Sequence, residues 1–155
     1  MHTVDKTGWA DGPWLTEPDK VQWYDEATGM ACLIVRSGFT GCLCGYVGVE
    51  PDHPVYEVDY GDVEEVMGIR VHGGLTYASK CVGHICHMPD PGRSDDLWWL
   101  GFDCGHAWDV APGMRARDAI RGWKAIEADQ TYRDLSYVRA ECTRLAAQLA
   151  TYTHG

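Results

Sequence analysis

Leu135, Val138, Cys142, Leu145 and Leu149 are spaced 3, 4, 3 and 4 residues apart, which gathers them into one apolar stripe only if the segment is helical. A helix over residues 132–150 has to bury that stripe against a broad apolar surface. Earlier segments supply one. Ala31-Cys32-Leu33-Ile34-Val35-Arg36 and Cys42-Leu43-Cys44-Gly45-Tyr46-Val47-Gly48-Val49 are apolar and β-like, with a turn at Ser37-Gly38 between them. Ile69-Arg70-Val71-His72 alternates apolar and polar residues and ends at Gly73-Gly74, and Leu97 to Asp103 forms a further strand-like run.

The expectation is one α+β domain over residues 1–155, with a mostly antiparallel sheet from segments near 31–36, 42–49, 67–72 and 97–103, covered by the C-terminal amphipathic helix. Thr131 with Asp134 three residues later fits a capping box at the start of that helix, within the span 131–151. Residues 1–29, with Trp9, Trp14 and Trp23 among Gly, Pro, Asp and Lys, read as an irregular arm pinned by aromatics, and 30–110 as sheet and pocket. Ile120, Trp123 and Ile126 suggest another helix between Met114 and Ala128, weakened by Gly122. Glycines 41, 45 and 48 allow bulges or close approach of another backbone.

Charge narrows the partners. Lys plus Arg is 13 against 23 for Asp plus Glu, a net charge of −10, which disfavours nucleic acid and anionic membrane surfaces and suits a basic partner protein or simply solubility. No run approaches the roughly 18 apolar residues of a membrane span, and Met1-His2-Thr3-Val4-Asp5-Lys6 lacks the apolar core of a secretion signal, so a cytoplasmic location is expected. Seven cysteines are an odd number, which argues for reduced thiols, buried or metal-bound, over a disulfide framework. The carboxylates between Val55 and Met67 read as a solvated face.

Chemically able side chains concentrate in Trp98-Trp99-Leu100-Gly101-Phe102-Asp103-Cys104-Gly105-His106-Ala107-Trp108-Asp109. Asp103, His106 and Asp109 form an Asp-x-x-His-x-x-Asp series, suited to metal ligation or to a base oriented by a carboxylate. Alternatively, Asp103 caps the next turn through the amides of Gly105 and His106. His72-Gly73-Gly74 ends a strand with a proton-transferring or metal-binding ring, beside two glycines whose amides can converge on developing negative charge; Thr76 and Tyr77 add hydroxyls.

Trp98 and Trp99 face opposite sides of a strand, so Trp99 can form a stacking wall for a ring substrate, while core packing beneath the helix and the N-terminal arm is the expected place of at least one of the two. The working expectation is one pocket lined by both stretches. Cys81, His84, Cys86 and His87 are the zinc suspects, against a loop whose cysteines are simply buried, and their spacing lacks the second Cys-x-x-Cys of a standard knuckle. P-loop, dinucleotide, Gly-x-Ser-x-Gly and His-Glu-x-x-His motifs are all absent.

The combination of Gly45-Tyr46-Val47-Gly48-Val49, Val71-His72-Gly73-Gly74-Leu75-Thr76-Tyr77, Trp98 to His106 and Tyr137-Val138-Arg139-Ala140-Glu141 resembles a group of small uncharacterised proteins of bacteriophages and bacterial mobile elements. The resemblance covers about half the chain and implies a host-directed role, including interference with nucleotide-based immunity. Two functions follow as expectations. One is a metal-assisted or acid/base hydrolase of a compact polar substrate such as a nucleotide derivative, using zinc or another divalent metal if any. The other is a non-catalytic sponge, or an acidic interaction protein that neutralises a host factor.

Overall fold

A computed structural model describes residues 2–122 and 130–151. In chain order the regular elements are β1 (Lys20–Tyr24), β2 (Ala31–Arg36), β3 (Leu43–Val49), α1 (Tyr60–Met67), β4 (Tyr77–Ser79), β5 (Trp98–Asp103), α2 (Pro112–Ile120) and α3 (Leu135–Ala150). The strands form one antiparallel sheet in the order β1-β2-β3-β5-β4. Helix α3 packs on it, giving the expected α+β domain. No helix among the described residues is long and apolar enough to cross a membrane.

Side-chain alternation splits the core in two. Cys32, Ile34, Leu43, Val47, Leu100 and Phe102 face α3, where they meet Val138, Cys142, Leu145 and Leu149. Ala31, Leu33, Val35, Tyr46 and Trp99 form the second cluster on the opposite face. Leu145 and Leu149 are 0 % exposed, and burying a leucine of this kind stabilises the fold by about 1.5–3 kcal/mol. Gly45 permits the close approach of helix to sheet: a Cβ there would lie 2.4 Å from Phe102 and 2.8 Å from the Cys142 sulfur.

Several expectations need correction. The arm before residue 30 contains β1, which pairs with β2 and turns Val21 and Trp23 toward the α3 side. The acidic stretch contains α1, capped by Asp59 and anchored by fully buried Val63, with Asp62 and Glu65 exposed while half-buried Glu64 accepts from the Leu75 amide. Residues 67–72 are not a strand. Gly68 adopts φ 63° and ends α1, and the following backbone is held by side chains: Gln148 accepts from the Arg70 amide at 2.7 Å and Glu141 from the His72 amide at 2.8 Å.

Asp134, not Thr131, caps α3, accepting from the Tyr137 amide at 2.9 Å. Thr131 instead bridges Asp109, its amide donating to the Trp108 carbonyl at 3.0 Å. The suggested helix between Met114 and Ala128 is found as α2 up to Ile120; Trp123 and Ile126 lie outside the described residues. Cys81 and Cys86 are joined by a disulfide, contrary to the expected set of reduced thiols, while Cys32, Cys42, Cys44, Cys104 and Cys142 are free.

Candidate functional site

Three chain segments meet beside the first turns of α3. The turn after α1 brings His72, the turn after β5 brings His106, and Asp109 follows it, pinned by its bridge to Thr131. Asp109 is the centre of the group and only 1 % exposed. Its Oδ2 lies 2.8 Å from His72 Nε2, 3.2 Å from His106 Nδ1 and 3.1 Å from the His106 amide nitrogen, and Arg133 Nε donates to its Oδ1 at 3.2 Å. Burial pushes the carboxyl pKa up, but the hydrogen bonds from His72 and His106 and the His72 charge outweigh it and hold Asp109 below its ordinary value. The centre is therefore an anion, buried but well partnered.

The hydrogen bonds assign the ring tautomers. His72 donates from Nε2 to Asp109, and its Nδ1 accepts from the Tyr137 hydroxyl at 2.8 Å. Burial and the Glu141 charge raise the Tyr137 pKa, so that hydroxyl keeps its proton. His106 donates from Nδ1 to Asp109, and its Nε2 has no partner among the described residues. The His106 side chain is 20 % exposed, and its ring stacks on Trp108 at 4.9 Å and 6°. Trp108 itself is half exposed.

Gly73 belongs to the site for a steric reason. It has φ 66°, and a Cβ there would sit 2.1 Å from Cε1 and 2.2 Å from Nε2 of His106. Gly73→Ala is expected to cost about 1–2 kcal/mol in chemical denaturation through the left-handed backbone alone. It should also displace the His106 ring, which the ring proton resonances would register.

The expected residues divide between this group and other places. His72, His106 and Asp109 converge, and their ligand atoms lie within 4.8 Å of one another, so they could hold a metal ion. Asp103 stands at the margin, with Oδ1 3.8 Å from His106 Nδ1 and accepting from the Gly105 amide at 2.9 Å, which is the turn-capping alternative. The Gly74 amide is committed to the Val71 carbonyl, so the two glycine amides do not converge on an anion. The exposed Thr76 donates its amide to the Gly101 carbonyl.

Tyr77 and Trp99 lie on the opposite sheet face, where Tyr77 packs edge-on against Tyr46 and Trp99 is 1 % exposed. Trp99 is a core residue and not a pocket wall. The zinc suspects do not gather either: Cys81 and Cys86 bond each other, exposed His84 lies against His2, and buried His87 lies against Trp99.

Arg133, Tyr137 and Glu141 were missed by the sequence reading. A signal exists for two of them, because Tyr137 and Glu141 are four residues apart and so share a polar row beside the apolar stripe of α3, whereas Arg133 precedes the helix cap. The nearby cysteines add no nucleophile. Burial pushes the Cys42 thiol up to about 11, aided by the charges of Asp109 and Asp103, and raises Cys104 as well. No protein-family model, curated protein or solved structure matches the chain.

Proposed function

We propose that the protein is a small hydrolase in which His106 is the working base, oriented by Asp109, and that its substrate is a compact polar molecule such as a nucleotide derivative. One observation carries the reading: a buried, ionised carboxylate holds Nδ1 of a part-exposed histidine, while that ring's Nε2 stays unpartnered. Nε2 takes a proton from an attacking water, and Asp109 stabilises the imidazolium that forms. His72, with both ring nitrogens engaged, fixes the carboxylate. The exposed Trp108 indole stacks on the ring and the part-exposed Arg133 guanidinium lies on the other oxygen of Asp109, which suits a substrate with a flat ring and an anionic group. A bacteriophage-type protein acting in the host cytoplasm, against nucleotide-based defence, is the setting this proposal favours.

The test is turnover on a panel of nucleoside mono- and diphosphate derivatives. His106→Ala is expected to lose roughly 10²- to 10⁴-fold in kcat/KM with a thermal midpoint near that of the parent. A large midpoint loss instead would assign His106 to structure. A small molecule retained through purification and released unchanged would make the protein a sponge. Salt-sensitive association with a basic host protein that survives His106→Ala would move the function to the acidic surface, consistent with the net charge of −10.

A further inference from the structure

We propose that His72 Nε2, His106 Nδ1 and Asp109 Oδ2 bind one zinc ion, leaving a fourth position for water. The inference rests on the hydrolase reading and on the same site, but it replaces the role of His106 Nε2 as base, and its measurement is independent of turnover.

Geometry comes first. Both ring nitrogens already point at one carboxylate oxygen, at 2.8 Å and 3.2 Å. Bonds of about 2.0–2.2 Å in a tetrahedral zinc site separate neighbouring ligand atoms by roughly 3.3–3.5 Å. Admitting the ion therefore lengthens the nitrogen–oxygen separations by up to about half an ångström and draws the two ring nitrogens, in a group whose ligand atoms lie within 4.8 Å of one another, to the same spacing. Two imidazoles and one carboxylate suit zinc in hydrolytic centres, and also iron(II), whereas calcium and magnesium favour oxygen ligands throughout. Three protein ligands with one open position is the arrangement of catalytic, not structural, zinc.

The surroundings fit as well. Arg133 Nε holds Oδ1 of Asp109 and the His106 amide holds Oδ2, which favours one-oxygen ligation in a fixed direction. Tyr137 lies 2.8 Å from His72 Nδ1, where its hydroxyl oxygen accepts a hydrogen bond from Nδ1–H once Nε2 is given to the metal. No proton needs to leave either ring: that of His72 moves from Nε2 to Nδ1, and that of His106 from Nδ1 to Nε2. The consequence is exclusive. A zinc-loaded site has an N–H at His106 Nε2 and cannot use it as a base, so activation of the attacking water would fall to the ion instead.

The experiment is calorimetric titration of chelator-treated full-length protein with zinc chloride, supported by the spectrum of the cobalt(II) form. One zinc per chain is expected, at least about 100-fold weaker in His106→Ala and about 10- to 100-fold weaker in Tyr137→Phe, with a folded circular dichroism spectrum in both. The cobalt form should lack the intense near-ultraviolet band of thiolate ligation. The double variant Cys81→Ser, Cys86→Ser should bind as tightly as the parent. Unchanged affinity in His106→Ala, a thiolate band, or loss of binding in the double cysteine variant would each overturn the inference. Zinc binding without turnover on any substrate would sustain it while removing the hydrolase reading. Turnover in chelator with no zinc binding would do the reverse.

Discussion

Arg36→Met is expected to lower the free energy of unfolding by about 3–5 kcal/mol, read from the urea midpoint at constant slope. The Arg36 side chain is 0 % exposed and occupies the end of β2. Its Nε donates to Asp19 at 2.7 Å, Nη1 to the Gly41 carbonyl at 2.8 Å and to Tyr132 at 3.0 Å, and Nη2 to Glu17 at 3.2 Å. Glu17 in turn accepts from the Tyr132 hydroxyl and, at 2.8 Å, from the Leu135 amide at the start of α3. One guanidinium thus joins the N-terminal arm, the β2–β3 turn and the approach to α3. Methionine fills similar volume but leaves the buried Asp19 carboxylate with Lys6 as its remaining cation.

Acidification supplies an independent signature of the same contact. Burial pushes the Asp19 carboxyl up, but the hydrogen bonds from Lys6, the Val4 amide and Arg36 outweigh it and hold the pKa below its ordinary 3.8. A depressed folded-state pKa contributes stability that is present above the unfolded value and is lost as pH falls through the folded one. Arg36→Met removes part of that depression. The variant should therefore lose less stability than the parent between about pH 5 and pH 2, although it starts lower.

The legible parts of the fold were those in which burial writes a period. β2, β3 and β5 are buried nearly throughout and read as short apolar runs, and α3 buries one stripe of a helix. β1 was obscured because its alternation, Val21 and Trp23, is short and sits at a sheet edge among Pro, Asp and Gly. Ile69-Arg70-Val71-His72 alternated convincingly, yet side chains from α3 satisfy its backbone, and no local pattern announces a partner of that kind. The pairing of His72 with His106 was expected from their chemistry. Which face Trp99 occupied was not, since a strand's parity says which residues share a face but not which face meets the helix.

Asp109→Ala is expected to remove the site and a large part of the stability together. The carboxylate is 1 % exposed and receives His72 Nε2, His106 Nδ1, the His106 amide and Arg133 Nε. Deleting it strands a buried imidazole N–H and a guanidinium. Arg133 is 25 % exposed and can turn to water, which places the loss near the lower end of the range for a broken buried pair, about 3 kcal/mol. Asp109→Asn separates the two effects. It keeps the shape and one acceptor oxygen, so most of the stability should remain. It removes the charge that stabilises an imidazolium and presents an amide N–H₂ where an acceptor is needed, so turnover should fall by roughly 10³- to 10⁴-fold. An Asp109→Asn protein of near-parental activity would leave Asp109 a purely architectural residue and would take the base assignment of His106 with it.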